Sequence, residues 1–71
     1  MAVSEPKLTE REQQIARLIS LGWSNKKIAD ELDLSEYTAK FHVANVCKKY
    51  GTSSRVTVAV RYAVAEALHQ Q

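Results

Sequence analysis

Tyr37, Lys40, Phe41, Ala44 and Lys48 recur at intervals of three and four, which on a helix puts them on one side, with Asn45 at its margin. Two aromatics beside two lysines are an unusual solvent face, where Glu, Gln and Lys are the ordinary choice. A convex helix carrying such groups can touch thymine methyls and donate hydrogen bonds to guanine. The bland alternative is that the lysines are solvated charges and the aromatics pack on a neighbouring element. A second cluster is Lys26-Lys27. If Ser24 caps a helix, these lysines fall in its first turn, where the positive end of the dipole disfavours cations and Glu is the natural third residue. A local rule broken without local gain suggests a functional position, and a phosphate near that helix end would supply the gain.

The elements that must position these groups read as helices. Thr9-Glu10-Arg11-Glu12 is a capping box, followed by Ile15, Leu18 and Ile19 at helical spacing and by Gly22 as a stop. Ser24 opens a second, short helix with Ile28, Ala29 and Leu32 as its stripe. After the link Asp33-Leu34-Ser35, a third helix should bury Ala39, Val43, Val46, Cys47 and Tyr50 and end before Gly51. The last segment fits two patterns. Val56, Val58 and Val60 alternate like a strand, while Val56, Ala59, Val60, Ala63, Val64 and Ala67 make a helical stripe. Helix is favoured, because a lone strand has nothing to pair with and Ser53-Ser54 offer a cap. The expectation is an all-α four-helix bundle with a helix-turn-helix, helices at about 10–21, 25–32, 36–50 and 55–68, between tails at 1–7 and 69–71. On the fourth helix, Val58, Tyr62 and Ala65 lie off that stripe and are expected to form an exposed dimer seam.

At 71 residues the chain makes one domain, and its 45% hydrophobic and 25% charged residues are ordinary for a globular one. No apolar run approaches the ~18 residues of a membrane span, and no secretory leader is visible, so a cytoplasmic protein is expected. The net charge is only +2. Its distribution is lopsided: seven of eight acids lie at or before Glu36, while Lys40, Lys48, Lys49, Arg55 and Arg61 follow it. The C-terminal half is therefore a candidate surface for phosphate. Cys47 is alone and reads as a small core residue. His42 reads as a structural histidine, and neither has metal-ligand spacing with His69.

Leu8-Thr9-Glu10-Arg11-Glu12, Ser24-Asn25-Lys26-Lys27-Ile28-Ala29, Leu34 through Val43, and Lys49-Tyr50-Gly51 with Ser54-Arg55 and Ala59 together resemble the DNA-binding domain of the LuxR/GerE/NarL family. The likeness spans roughly residues 8–65. It implies four helices whose third reads the major groove and whose last commonly mediates dimerisation. It implies base contacts at Lys40, Phe41 and Ala44, and phosphate contacts at Thr38 and Lys26. The chain departs from the family pattern at Phe41, often Asn or Val, at Tyr37, often Lys, at Lys27, often Glu, and at Tyr50, often Leu. These departures leave the fold expectation intact and open the choice of DNA sequence.

The expected function is sequence-specific binding of double-stranded DNA by a transcriptional regulator, as a homodimer. The rival is a small module that pairs with a larger LuxR-type regulator and modulates it, using Tyr37 and Phe41 as a protein contact. An enzyme is not expected. The chain has no Gly-rich phosphate loop, no arranged nucleophile and base, and little room for a deep pocket. No cofactor, metal or small-molecule ligand is expected in this chain.

Overall fold

The structure, a computed structural model, describes residues 5–69. Residues 1–4 of the expected N-terminal tail, and Gln70 and Gln71 of the C-terminal one, lie outside the described residues. Four helices follow in order: α1 Glu10–Ser20, α2 Asn25–Leu32, α3 Glu36–Lys49 and α4 Arg55–His69. The described residues contain no strand. Residues 55–69 are helical, which resolves the ambiguity of their valine alternation.

Each helix starts where its polar cap stands. The Thr9 hydroxyl accepts from the Glu12 amide at 3.2 Å, and the Glu12 carboxylate accepts from the Thr9 amide at 2.9 Å, closing the capping box. The Ser24 hydroxyl accepts from the Lys27 amide, and the Ser35 hydroxyl from the Thr38 amide. Ser54 takes the Thr57 amide at 3.4 Å. Helix ends are equally local. The turn between α2 and α3 bends at Asp33, a left-handed residue with φ 57°. Gly51 follows α3 at φ 73°, and the Thr52 amide returns to the Cys47 carbonyl at 3.1 Å.

The core joins Ile15, Ala16, Leu18 and Ile19 of α1 to Ile28 and Ala29 of α2, Ala39, Val43, Val46, Cys47 and Tyr50 along α3, and Val58 of α4. α1 packs mainly on α4, and α2 mainly on α3. The inward face expected for α3 is the buried one. Polar links also tie the frame together. Lys49 Nζ lies 2.7 Å from Glu12 Oε1, joining the end of α3 to the start of α1. The Arg61 guanidinium donates to the Tyr50 carbonyl at 2.8 Å and lies over the Tyr50 ring.

The face assignment on α4 is corrected. Val58, expected at an exposed dimer seam, is wholly buried in the core. Tyr62 is half-buried and packs on that core, and Ala65 is half-buried. Burial accordingly raises the Tyr62 phenol above its ordinary value. Of the stripe expected to face inward, Val56, Val60, Ala63, Val64 and Ala67 are exposed and Ala59 alone packs on the core; Leu68 extends the exposed side, and Val56, Val60, Val64 and Leu68 are each more than half accessible. Both sides of α4 are apolar, so spacing alone cannot choose between them. Arg55 decides it, since it shares a side with Val58, Tyr62 and Ala65 and is bonded inward to the α2 end.

Candidate nucleic-acid interface

α3 is held at its ends and along one side, which leaves the opposite side uncovered. Tyr37 is 81% and Phe41 58% accessible. Lys40, Ala44 and Lys48 are exposed on the same side, and Thr38 and Asn45 are half-buried at its margins. The structure thus brings the expected group together on one convex strip, and no part of the described chain folds over it. Leaving these two rings exposed to water forgoes the stability that packing them would have given the monomer. Phe41 also sets its ring edge-on to His42, centroids 6.2 Å apart.

Thr38 has a local duty besides any ligand. Its hydroxyl accepts from the Ser35 hydroxyl at 2.9 Å while its amide donates to the same oxygen. Lys27 also has a local duty, which revises the argument from its position. Its Nζ sits 4.4 Å from the centroid of the Trp23 ring, a cation–π contact that offsets the unfavourable dipole. Lys26 is exposed and has no such contact among the described residues.

The five C-terminal cations divide sharply once placed. Lys49 is paired with Glu12, Arg61 is bonded to Tyr50, and Arg55 donates to Asn25 Oδ1 at 2.7 Å and to the Trp23 carbonyl at 2.8 Å. Lys40 and Lys48 form no hydrogen bond or ion pair among the described residues. Both stand on the strip with the aromatics. The positive surface is therefore narrower than the charge count suggested, and it coincides with the face that spacing selected. Sequence reasoning did not find the bridging role of Arg55; a long cation opening a helix, where dipole and charge conflict, was the signal.

Among the described residues no group of three or more His, Cys, Asp or Glu side chains could hold a metal ion, and no helix is long and apolar enough to cross a membrane.

Residues 6–63 match the family described as bacterial regulatory proteins, luxR family (GerE). The chain is 49% identical over 53 residues to the nitrate/nitrite response regulator protein NarL of Escherichia coli K12, covering 75% of this chain and 24% of that protein. It is 44% identical over 55 residues to a nitrate/nitrite response regulator protein homolog of Haemophilus influenzae, covering 78% and 26%. Against the HTH-type transcriptional regulator MalT of Klebsiella pneumoniae it is 46% identical over 48 residues, covering 68% and 5%. The chain spans about a quarter or less of the length of these curated relatives.

Proposed function

This chain belongs to the luxR family of bacterial regulatory proteins, and from that premise we propose that it is the DNA-reading part of a transcriptional regulator, with α3 entering the major groove of a duplex. The observation that carries the reading is the uncovered strip of Tyr37, Lys40, Phe41, Ala44 and Lys48. A B-form major groove is about 12 Å wide and admits one helix. Lys40 and Phe41 meet base edges in this reading, a guanine acceptor suiting the first and a thymine methyl the second. Ala44 permits close approach without a hydrogen bond. Lys26, Lys27, Thr38 and Lys48 face phosphates, and Tyr37 and Asn45 flank the reading residues.

A dimer through α4 is proposed on other residues than those first expected. Val56, Val60, Val64 and Leu68 form an exposed apolar stripe at steps of four, which a second copy can cover. Two copies joined through α4 would place their α3 helices on half-sites about one helical turn apart. The same stripe could seat a larger LuxR-type regulator, which keeps the modulating role as the rival reading.

Titration of a random duplex and of a duplex selected from a random pool, each at several salt concentrations, tests the proposal. DNA binding requires measurable affinity for both at low salt and a steep fall with salt. No binding to either duplex at low salt would favour the protein-interaction role.

A further inference from the structure

α2 packs on α3 and hardly on α1 or α4. Its start, where Lys26 and Lys27 stand, needs a tie from outside that pair to hold one direction. Arg55, the first residue of α4, supplies it. One guanidinium nitrogen donates to Asn25 Oδ1 at 2.7 Å and the other to the Trp23 carbonyl at 2.8 Å. Those two residues flank Ser24, whose hydroxyl caps α2 by accepting from the Lys27 amide. The fork thus grips the chain on both sides of the cap. Lys27 lies over the ring of the same Trp23, so the grip extends to its side chain as well. Arg55 is half-buried, and both of its acceptors are uncharged. Its own charge stands in the first turn of α4, where the dipole disfavours a cation. The stability of α4 does not account for an arginine there; the two-point bond to α2 does. An ammonium lacks the planar fork that meets two acceptors in fixed directions.

We infer that Arg55 is a positioning residue for DNA binding: it fixes the direction of the first turn of α2, so that Lys26 meets its phosphate, and does not itself touch the duplex. The inference rests on the DNA reading above and adds to it a residue on a different helix from the contacts. Phosphate contacts set how a protein sits on a duplex without reading bases. Such a contact works only if the charge holds one place relative to α3, within roughly 0.5 Å, and the groups that hold it are themselves locked. Lys26 is exposed and has no bond of its own among the described residues, so its backbone must supply that constancy. With the fork broken, Lys26 stays charged and exposed but loses its fixed station. The contact then has to be ordered on binding, at a cost in affinity.

The test compares the whole chain with Lys26→Gln, Arg55→Lys and Asn25→Ala, and with each of the last two combined with Lys26→Gln, on the selected and the random duplex. Circular dichroism melting sets a temperature at which every variant is folded. Should Arg55→Lys fail to fold, Asn25→Ala, which leaves the bond to the Trp23 carbonyl in place, carries the comparison. Loss of one phosphate contact, with a salt slope near 0.9, is worth about eightfold at 0.1 M salt. Lys26→Gln is expected to weaken both duplexes by that order and to reduce the salt slope by about one. Arg55→Lys keeps its charge, yet it is expected to weaken both duplexes by roughly threefold to eightfold and to lower the salt slope as well. Each double variant should bind like Lys26→Gln alone, because both changes remove the same contact. A merely structural Arg55 would lower the melting temperature and leave affinity and slope alone. Arg55→Lys and Asn25→Ala binding within about twofold of wild type therefore overturns the inference. So do losses that multiply in the double variants, or a Lys26→Gln that binds like wild type. Lys40→Ala keeps the DNA reading separate: if it loses the selected duplex beside any of those results, the α3 reading stands without Arg55. A wild type that binds neither duplex removes both.

Discussion

Lys40 and Phe41 are adjacent in sequence, exposed on one strip, and without a structural task that would explain their identities. That combination was legible from spacing alone, because three- and four-residue intervals sort a helix into faces before any contact is known. Lys40→Ala is expected to cost about 1–3 kcal/mol on the selected duplex and much less on a random one, as read by fluorescence anisotropy. Loss of equal size on both would make Lys40 a phosphate contact. Lys49 was less legible. It looked like another dipole-complementing cation, yet its reach to Glu12 crosses 37 residues of sequence, which no local pattern encodes. The Lys49 ammonium and then the Thr9 amide hold the Glu12 carboxyl below its ordinary 4.5. A depressed folded value means that this stabilisation is complete above the unfolded value and drains away as pH falls through the folded one. The melting temperature of the wild type should therefore drop on going from about pH 5 to about pH 3, and Glu12→Gln should remove part of that drop. An identical pH profile for both proteins would show that the pair contributes nothing.

The elements themselves followed closely from caps and stops, since Thr9, Ser24, Ser35 and Ser54 each satisfy amides that a helix start leaves open. The turn at Gly51 shows how strongly a stop is set by backbone. A methyl group there would meet nothing within 4 Å, so the penalty of Gly51→Ala comes from the left-handed conformation alone, about 1–2 kcal/mol. Thermal melting of that variant measures it. What patterning could not settle was the orientation of α4, where two apolar sides compete. The wrong side looked buried because it holds more valines and alanines. The right side was marked by Arg55, whose guanidinium needs acceptors that only the α2 end supplies. Opposite outcomes are expected from the two faces. Val58→Asp places a charge in the core and should abolish cooperative unfolding. Val60→Asp should melt like wild type but lower the molecular weight seen by light scattering at high concentration, or on DNA. A wild type that is monomeric under both conditions would remove the α4 dimer.

The whole molecule is a frame in which α1 and α4 back the α2–α3 unit and hold α3 outward. A core of this size typically supplies ~3–5 kcal/mol, so a frame held by Glu12–Lys49, Arg55 and Arg61 as well as by packing keeps α3 in place at modest stability. The resulting surface is specialised by subtraction: most of the C-terminal cations are used internally, and what remains outward, Lys40 and Lys48, lines one strip. The central claim is that this strip enters a major groove. Competition on a bound duplex separates the grooves directly, using methyl green for the major groove and distamycin for the minor one. Displacement of the protein by methyl green at concentrations where distamycin leaves it bound is the expected result. Displacement by distamycin alone, with methyl green without effect, would contradict it.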